Sequence, residues 1–336
     1  MELYFESNYG KLINGNTLDE IKNIETKSVQ SIITSPPYWA LRDYGNDNQL
    51  GQEDSFQEYL DKLMIIFNDC KRVLKDDGLL FINISDTYSG TNSKGSFIDP
   101  KYKDGRNGQI ISKNSKIPGV KKKSLIGIPQ RLMILMIDSG WICRNTIIWH
   151  KPNAMPESVK DRFTADYEYI FMFSKKSKYK FNQIKEPMVT KDRYQAQKGI
   201  SIINKHSSLI AIRGSKGTLG TKNQGNRKDY SDADYERFKD KYTNDEDFVR
   251  NKRSVWSINT KGYKEAHFAV FPKELIENLI LCSTSPGDII FDPFMGSGTV
   301  AKVAEINNRK WMGIELNKDY CELIKKRISV IQPKLF

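Results

Sequence analysis

The sequence predicts an α/β fold, in which a doubly wound and mostly parallel sheet carries helices on both faces. Short apolar runs typical of buried strands alternate along the chain with longer segments whose apolar residues recur at helical spacing. Alternation favours parallel strands, because each helix must return the chain to the same edge of the sheet. The length of 336 residues accommodates one large domain of this kind with an insertion.

The predicted elements begin with an apolar strand at 29–33. The segment 55–74 then has apolar residues at helical spacing, the polar "KDDG" ends that helix, and "LLFINI" at 79–84 is the next strand. The same pattern predicts the rest of the sheet. Further helices are expected in 125–141, 272–288, 299–308 and from 317 to about 330, and further strands in 145–149, 168–173, 289–292 and 310–316.

Two basic stretches interrupt the alternation. Residues 88–123 contain nine Lys or Arg against two Asp, and residues 191–228 contain nine against one, both among many Gly, Ser and Asn. They are either disordered loops or surfaces that face phosphates, and their shared sign favours phosphates. The formal net charge of +12 also favours an anionic partner such as nucleic acid. The acidic segment 229–247 is interpreted as a solvated helix or spacer.

The four cysteines are far apart in the sequence and form no Cys-x-x-Cys pair. With only three histidines to join them, neither a metal site nor a disulfide framework is expected. No signal-peptide pattern and no apolar run long enough to span a bilayer is found, so no membrane partner is expected and the protein is predicted to be cytoplasmic.

A glycine turn with acidic neighbours predicts a nucleoside-cofactor site. In "DIIFDPFMGSGTVAKVAE", Asp292, Gly296 and Gly298 lie between a strand and a helix, where glycine lets a ligand approach the backbone. Glu315 ends the next strand, where an acid can accept hydrogen bonds from ribose hydroxyls. The dinucleotide pattern G-x-G-x-x-G is not met, and Asp292 would repel a pyrophosphate but attract an ammonium group. The site therefore favours S-adenosylmethionine over a nicotinamide dinucleotide.

Two prolines follow the first strand in "TSPPYW" at 34–39. Pro36 and Pro37 remove two backbone donors, so nearby carbonyls stay out of a regular ladder. Ser35 adds a side-chain acceptor and Tyr38 a flat face. Together they suit a planar ring with an exocyclic amino group, whose two N–H bonds need two acceptors. Methylation at cytosine carbon 5 would need a cysteine nucleophile, typically after proline, and no cysteine follows a proline here.

These motifs, in this order, resemble the amino-group DNA methyltransferases of the β class. In that circularly permuted class the S/D/N-P-P-Y motif comes early and the cofactor motif late, as "TSPPYW" and "FDPFMGSGT" do here. The resemblance covers nearly the whole chain except 88–122 and 185–253, and it implies a Rossmann-like class I methyltransferase fold. It assigns 1–184 to the catalytic part with its basic loop 88–123, 185–253 to a target-recognition insertion, and 254–336 to the cofactor-binding part of the same domain.

The resemblance also implies site residues. Ser35, Pro36, Pro37 and Tyr38 would be catalytic, and Asn16 stands where many relatives carry an Asp that contacts the cofactor adenine. The remaining implied S-adenosylmethionine ligands and neighbours are Phe268, Pro272, Asp292, Pro293, Gly296, Gly298, Thr299 and Glu315. The candidate DNA contacts are Trp39, Arg42, His150, Arg193, Arg213 and Arg227. Trp39 could instead pack under its loop, His150 could be a packed or hydrogen-bonded side chain, and phosphate contact is an alternative to base reading for each of the last three arginines.

The expected reaction is methylation of the N4 amine of a cytosine flipped from duplex DNA, since Ser before the prolines is commoner in cytosine enzymes. Two alternatives are kept: methylation of adenine N6, and a DNA-binding protein of the same fold without activity. An RNA or protein substrate is disfavoured by the recognition insertion. A cognate restriction endonuclease and a homodimer are left open as partners, and a bacterial or phage origin, at the nucleoid, is expected.

Overall fold

The computed structural model describes residues 2–40, 49–90, 117–187, 249–260 and 271–330. These residues divide into two compact units, one formed by Met1–Asn182 with Arg253–Phe336 and the other by Gln183–Lys252. The described strands are β1 (Leu3–Glu6), β2 (Gly10–Asn14), β3 (Val29–Thr34), β4 (Leu74–Ile84), β5 (Ile142–His150), β6 (Tyr167–Ser174), β7 (Lys185–Pro187), β8 (Val249–Asn251), β9 (Val255–Ser257), β10 (Ile289–Asp292) and β11 (Lys310–Glu315). The described helices are α1 (Thr17–Glu20), α2 (Phe56–Val73), α3 (Ile128–Asp138), α4 (Lys273–Ser283), α5 (Thr299–Ile306) and α6 (Lys318–Ser329), and a 3-10 helix (Ile21–Asn23) follows α1.

The first unit is built on one sheet with the order β1-β2-β11-β10-β3-β4-β6-β5-β9. Its central strands β2, β11, β10, β3 and β4 run parallel to one another. Strand β6 is antiparallel to both β4 and β5, and β1 is antiparallel to β2. The predicted α/β fold with a mostly parallel sheet is therefore confirmed. No described helix is both long and apolar enough to cross a membrane.

Helices cover both faces of the sheet, as two adjacent residues of β3 illustrate. The side chain of Ile32 belongs to the buried core that includes Leu63 and Phe67 of α2. The hydroxyl of the preceding residue, Ser31, accepts a hydrogen bond from Ser283 of α4 at 2.9 Å. Because successive side chains of a strand point to opposite faces, α2 and α4 lie on opposite sides of the sheet.

The parallel strands bring the two predicted motifs to one edge of the sheet. Strands β3 and β10 are neighbours, with Ile290 and Phe291 paired to Ser31 and Ile32. Their carboxyl ends therefore meet, and open α/β sheets bind their ligands at this edge. The proline loop leaves β3 here, and the glycine turn leaves β10 here.

The polar "KDDG" segment at 75–78 was expected to end the second helix, and this expectation was wrong. Helix α2 ends at Val73, and the segment belongs to β4, which begins at Leu74. Its pairing with β3 jumps from Val29↔Leu74 to Ser31↔Leu79, so the polar residues form a bulge inside the strand. The short strands β1, β2, β7, β8 and β9 were not predicted.

Candidate active site

The proline loop and the glycine turn line one cavity of about 680 Å³ at the carboxyl edge of the sheet. Its lining includes Ser35 to Trp39 from the loop after β3 and Asp292 to Ser297 from the turn after β10. Glu315 and its successors contribute from the end of β11. Two motifs more than 250 residues apart in sequence are thus adjacent because their strands are neighbours.

The proline loop is held from outside the cavity. The Tyr59 hydroxyl on α2 donates to the Pro37 carbonyl at 2.8 Å. The indole of Trp39 is only 2% exposed, packs edge-on against Phe56 and donates to the Glu53 carbonyl at 3.0 Å. Within the described part of the chain, no donor reaches the carbonyl of Pro36. The Pro37 carbonyl therefore anchors the loop, whereas the Pro36 carbonyl accepts no hydrogen bond from a described residue.

Tyr38 is fixed by a network of polar side chains from the neighbouring strands. Its hydroxyl donates to Glu168 Oε2 at 2.6 Å and accepts from Asn83 Nδ2 at 2.7 Å. The Ser35 hydroxyl lies at 3.5 Å from the same oxygen. Burial and the neighbouring Glu168 carboxylate raise the pKa of Tyr38 well above its ordinary value. The phenol therefore stays protonated, and its ring is held in one orientation.

Glu168 is compensated on its other side by Lys151, whose ammonium donates to Glu168 Oε1. Lys151 also lies over the ring of Trp149, 4.7 Å from its centre. Asn83 donates to Glu168 Oε2 as well, at 2.5 Å. Glu168 is only 9% exposed, and these partners offset the free-energy cost of burying a carboxylate.

Asp292 ends β10 and is 2% exposed. Its Oδ1 accepts from the Thr34 hydroxyl at 2.6 Å and from the Phe294 N–H at 3.0 Å. Burial raises the pKa of Asp292 to about 7, although both hydrogen bonds oppose the shift. Thr34, just before the proline loop, therefore connects this loop directly to Asp292 at the start of the glycine turn.

Glu315 supplies a second carboxylate to the cavity. Its Oε2 accepts from the Gly296 N–H at 2.7 Å and its Oε1 from the Asn317 N–H at 2.8 Å. Burial raises the pKa of Glu315 to about 7, and the nearby charge of Asp292 adds to the shift. Each carboxylate oxygen still has a lone pair for a ligand hydroxyl. Two acids side by side disfavour an anionic ligand here and favour a cationic one.

The glycine turn adopts a backbone that only glycine takes easily. Gly296 and Gly298 have φ values of +52° and +77°. A side chain at Gly298 would meet Ile324 of α6 at 2.8 Å, so this glycine serves close packing of helix and turn. Next to it, Thr299 lines the cavity, and its buried Oγ1 has no hydrogen-bond partner among the described residues. A hydroxyl of this kind suits a polar ligand.

The other implied cofactor residues have mixed placements. Asn16 lines the cavity, and its Oδ1 caps α1 by accepting from the Leu18 N–H at 3.0 Å. Pro293 also lines it, and its carbonyl accepts from Thr17 at 2.5 Å. Pro272 begins α4 and is buried outside the lining, which Phe271 reaches instead. Gly298 is likewise not part of the lining.

The candidate DNA contacts are largely outside the described residues. This holds for Arg42, Arg193, Arg213 and Arg227, and also for the implied cofactor residue Phe268. His150 is described, and its Nδ1 lies 3.0 Å from the Ser257 hydroxyl on β9. It is not part of the cavity lining. The burial of Trp39 favours packing under the loop over contact with DNA.

Sequence reasoning missed the polar residues that surround Tyr38. Asn83 and Glu168 lie on β4 and β6, whose sequences "LLFINI" and "EYIFMF" are otherwise apolar or aromatic. A polar residue in such a strand is the signal that could have identified them, since burial without a partner is costly. Asp86 follows β4 at the same edge, and it accepts from the Gly127 and Ile128 N–H groups at the start of α3.

Comparison with known proteins decides the family. A model of the DNA methylase family, which groups N6 and N4 enzymes, matches residues 29–326. The chain belongs to the DNA methylase family. The resemblance found in its motifs is therefore confirmed, and the family assignment brings S-adenosylmethionine with it as the methyl donor.

Relatives and solved structures of DNA methylases resemble the chain over almost its full length. The Type II methyltransferase M.Cfr9I of Citrobacter freundii is 38% identical over 324 residues, which cover 96% of this chain and 89% of the relative. The solved PvuII DNA methyltransferase (cytosine-N4-specific) has a TM-score of 0.61 at 18% identity, covering 100% of this chain and 91% of its own. A DNA modification methylase of Thermus thermophilus, solved with S-adenosyl-L-methionine, has a TM-score of 0.53 at 20% identity, with 95% and 92% covered. Because both solved structures are at most 20% identical to the chain, the similarity shows that they share its fold.

Proposed function

We propose that the chain is a site-specific DNA methyltransferase that methylates the exocyclic N4 amine of a cytosine flipped out of duplex DNA. One observation carries the proposal: the Ser35–Tyr38 loop and the acidic glycine turn line the same cavity. A base amine held by the first can then face a methyl group held by the second. A flipped base is required because the amine is inaccessible within a duplex.

The proline loop would bind and orient the base. Ser35 Oγ and the Pro36 carbonyl can accept the two N–H bonds of the amine, and Tyr38 offers its ring for stacking. Two acceptors draw the nitrogen lone pair away from the ring and make it available for attack. A covalent nucleophile has no place in this scheme. None of the four cysteines, all within the described residues, lines the cavity.

The glycine turn would hold S-adenosylmethionine, which supplies an electrophilic methyl group on a sulfonium. The residues present fit this cation. Asp292 and Glu315 provide negative charge, and Glu315 can also accept from ribose hydroxyls. Thr299 lines the cavity beside them, at the end where the methionine part would lie. The side chain of Asn16 caps α1 at the cavity, where an adenine could lie.

The choice of cytosine rests on two supports. Serine precedes the prolines, as in the cytosine enzymes that the motif resembles, and the similar PvuII structure carries the name of a cytosine-N4 enzyme. The family also contains adenine-N6 enzymes, so adenine is the second candidate. Relatives named Type II methyltransferases support a cognate restriction endonuclease as a partner.

The test is to incubate the protein with S-adenosylmethionine and duplex DNA of mixed sequence, digest the product to nucleosides and identify the methylated one by mass. We expect N4-methylcytosine. N6-methyladenine alone would replace the first choice by the second. The double variant Ser35→Ala with Tyr38→Ala should lose transfer but still bind S-adenosylmethionine in calorimetry, and full activity in this variant would overturn the assignment.

A further inference from the structure

A chain of hydrogen bonds leads from the proline loop to a carboxylate behind it. The chain runs from Ser35 Oγ to the Tyr38 hydroxyl at 3.5 Å, and from there to Glu168 Oε2 at 2.6 Å. Asn83 donates to both the Tyr38 oxygen and Glu168, and Lys151 donates to the far carboxylate oxygen. All five side chains lie in the described part of the cavity lining.

The chemistry of the donors fixes the direction of this chain. A carboxylate only accepts, so Tyr38 must give its single proton to Glu168. The Tyr38 oxygen can then only accept from Ser35. At 3.5 Å this contact is longer than an ordinary O–H···O hydrogen bond, and it favours a Ser35 hydroxyl whose proton points toward Tyr38. This leaves the lone pairs of Ser35 Oγ for another donor. A serine that is free to rotate could instead point its proton at an incoming N–H and lose the hydrogen bond.

We infer that Glu168 is a positioning residue which, through Tyr38, holds the Ser35 hydroxyl as an acceptor for the amine of the target base. The inference rests on the proposed function and extends it by one residue from a different strand. Glu168 itself touches neither base nor cofactor in this scheme. Its effect reaches the reaction only through the direction of the proton on Ser35.

Replacing the Glu168 carboxylate by a neutral amide would reverse the direction of its hydrogen bond with Tyr38. In Glu168→Gln, Lys151 can only donate, so it selects the amide oxygen, and the amide nitrogen then faces Tyr38. That nitrogen also faces Asn83 Nδ2, which donates to the same position in the wild type, so the Asn83 amide would have to turn over. Tyr38 would accept from the new amide nitrogen, and its own proton, no longer taken by a carboxylate, would be shared between Ser35 and the Asn83 oxygen. Ser35 Oγ would then receive a proton from Tyr38 and compete poorly for the amine. In Tyr38→Phe the ring is kept for stacking, but the Ser35 proton is no longer directed.

The experiment is single-turnover methylation of a duplex that contains the target site, with binding of S-adenosylmethionine and of DNA measured separately. We expect Glu168→Gln to slow the transfer roughly 10- to 100-fold, the range of one misdirected hydrogen bond to a reacting group, with both dissociation constants unchanged. Tyr38→Phe should slow it less than Glu168→Gln does. In a Ser35→Ala background, Glu168→Gln should have no further effect.

Tyr167→Phe is the matched control. It removes a hydroxyl from the residue next to Glu168 but leaves the Ser35–Tyr38–Glu168 hydrogen bonds intact, so it should keep the wild-type rate. An equal loss from Glu168→Gln with and without Ser35 would show a general structural role and overturn the inference. Wild-type transfer at the normal rate in Glu168→Gln would do the same. If the wild-type protein transfers no methyl group at all, the proposed function itself has failed.

Discussion

The buried Asp292 carboxylate lowers the free energy of unfolding when it is ionised, so its contribution to stability depends on pH. Its pKa is raised from 3.8 to about 7 by burial. The folded state therefore binds the proton more tightly than the unfolded state does. The resulting stability is fully present below the unfolded pKa and is lost as pH rises through about 7. At neutral and higher pH the charge is kept for a cationic ligand at the expense of stability.

The variant Asp292→Asn mimics the protonated acid and keeps the Oδ1 that accepts from Thr34 and Phe294. We expect it to raise the free energy of unfolding at pH 8 by roughly 2 to 4 kcal/mol, from about 1.4 kcal/mol per unit of pKa shift. The gain should shrink as pH falls to 5. In the same variant, the affinity for S-adenosylmethionine should drop at least about tenfold, because one charge partner is lost. Urea unfolding at both pH values and calorimetry measure the two effects.

Asp288, just before the same strand, is the matched control. Burial alone would raise its pKa, but hydrogen bonds from Lys180 and the Ser285 N–H, with the charge of Lys75, lower it overall. Its stabilising effect is present above the unfolded pKa, so Asp288→Asn should destabilise the protein at pH 8. The interpretation of Asp292 would be wrong if Asp292→Asn had the same stability as wild type at pH 8, or the same gain at both pH values.

The polar residues of the site show where residue-level prediction succeeds. Ser35, Tyr38, Asp292 and Glu315 could be predicted because each stands in a loop or at a strand end, where a local pattern marks it. Glu168 could not be placed beside Tyr38, because their contact depends on strand β6 being antiparallel to β4. That pairing breaks the parallel order that alternation predicts, and no local pattern encodes it.

At the scale of elements, the turn between β10 and α5 combines two demands on glycine. Gly298 has φ of +77°, and an added Cβ would lie 2.8 Å from Ile324. Gly296 has φ of +52°, but an added Cβ would have no neighbour closer than 3.9 Å. The first position is restricted by backbone and packing, the second by backbone alone.

We expect Gly298→Ala to cost roughly 2 to 4 kcal/mol of unfolding free energy, and Gly296→Ala about 1 to 2 kcal/mol, the cost of a left-handed backbone for a residue with Cβ. The larger loss should come with weaker binding of S-adenosylmethionine, because α5 and α6 must separate next to Thr299. Urea unfolding and calorimetry of the two variants test this. Equal costs at the two positions would show that contact with Ile324 does not restrict the turn.

The elements themselves were predictable where burial on both sides forces a simple pattern. Strands β10, β3 and β4 at the middle of the sheet contain apolar runs, and α2 has helical spacing with Ser55 as its N-cap. Strand β2, which pairs with β11, was not predicted. Strands β1 and β9 lack this pattern because they lie at the two edges of the sheet, where two of the four residues of β1 and two of the three residues of β9 are exposed. The "KDDG" segment was expected to end a helix because its residues favour turns, but pairing with β3 on both sides of the bulge, and with β6 after it, overrides that preference.

At the scale of the whole molecule, we propose that catalysis and DNA recognition belong to different parts of the chain. The described residues that line the cavity lie between 16 and 168, at 260 and 271, and between 292 and 320. The unit Gln183–Lys252 contributes none of the described lining residues. In this unit the described residues form a small antiparallel sheet, in which Pro187 pairs with Val249. A deletion can therefore be closed where these two strands meet.

We expect that replacing residues 188–248 with an Asn-Gly turn, which suits a two-residue hairpin, keeps β7 and β8 paired. The variant should bind S-adenosylmethionine within about twofold of wild type, since its ligands are untouched. It should lose methylation of specific sites, because the segment predicted to read the sequence is gone.

A milder variant with Gln at Arg193, Arg213 and Arg227 should weaken site preference and lower the salt dependence of DNA binding. Sequencing that maps modified bases measures both, and unchanged sites in the deletion variant would place recognition elsewhere in the chain.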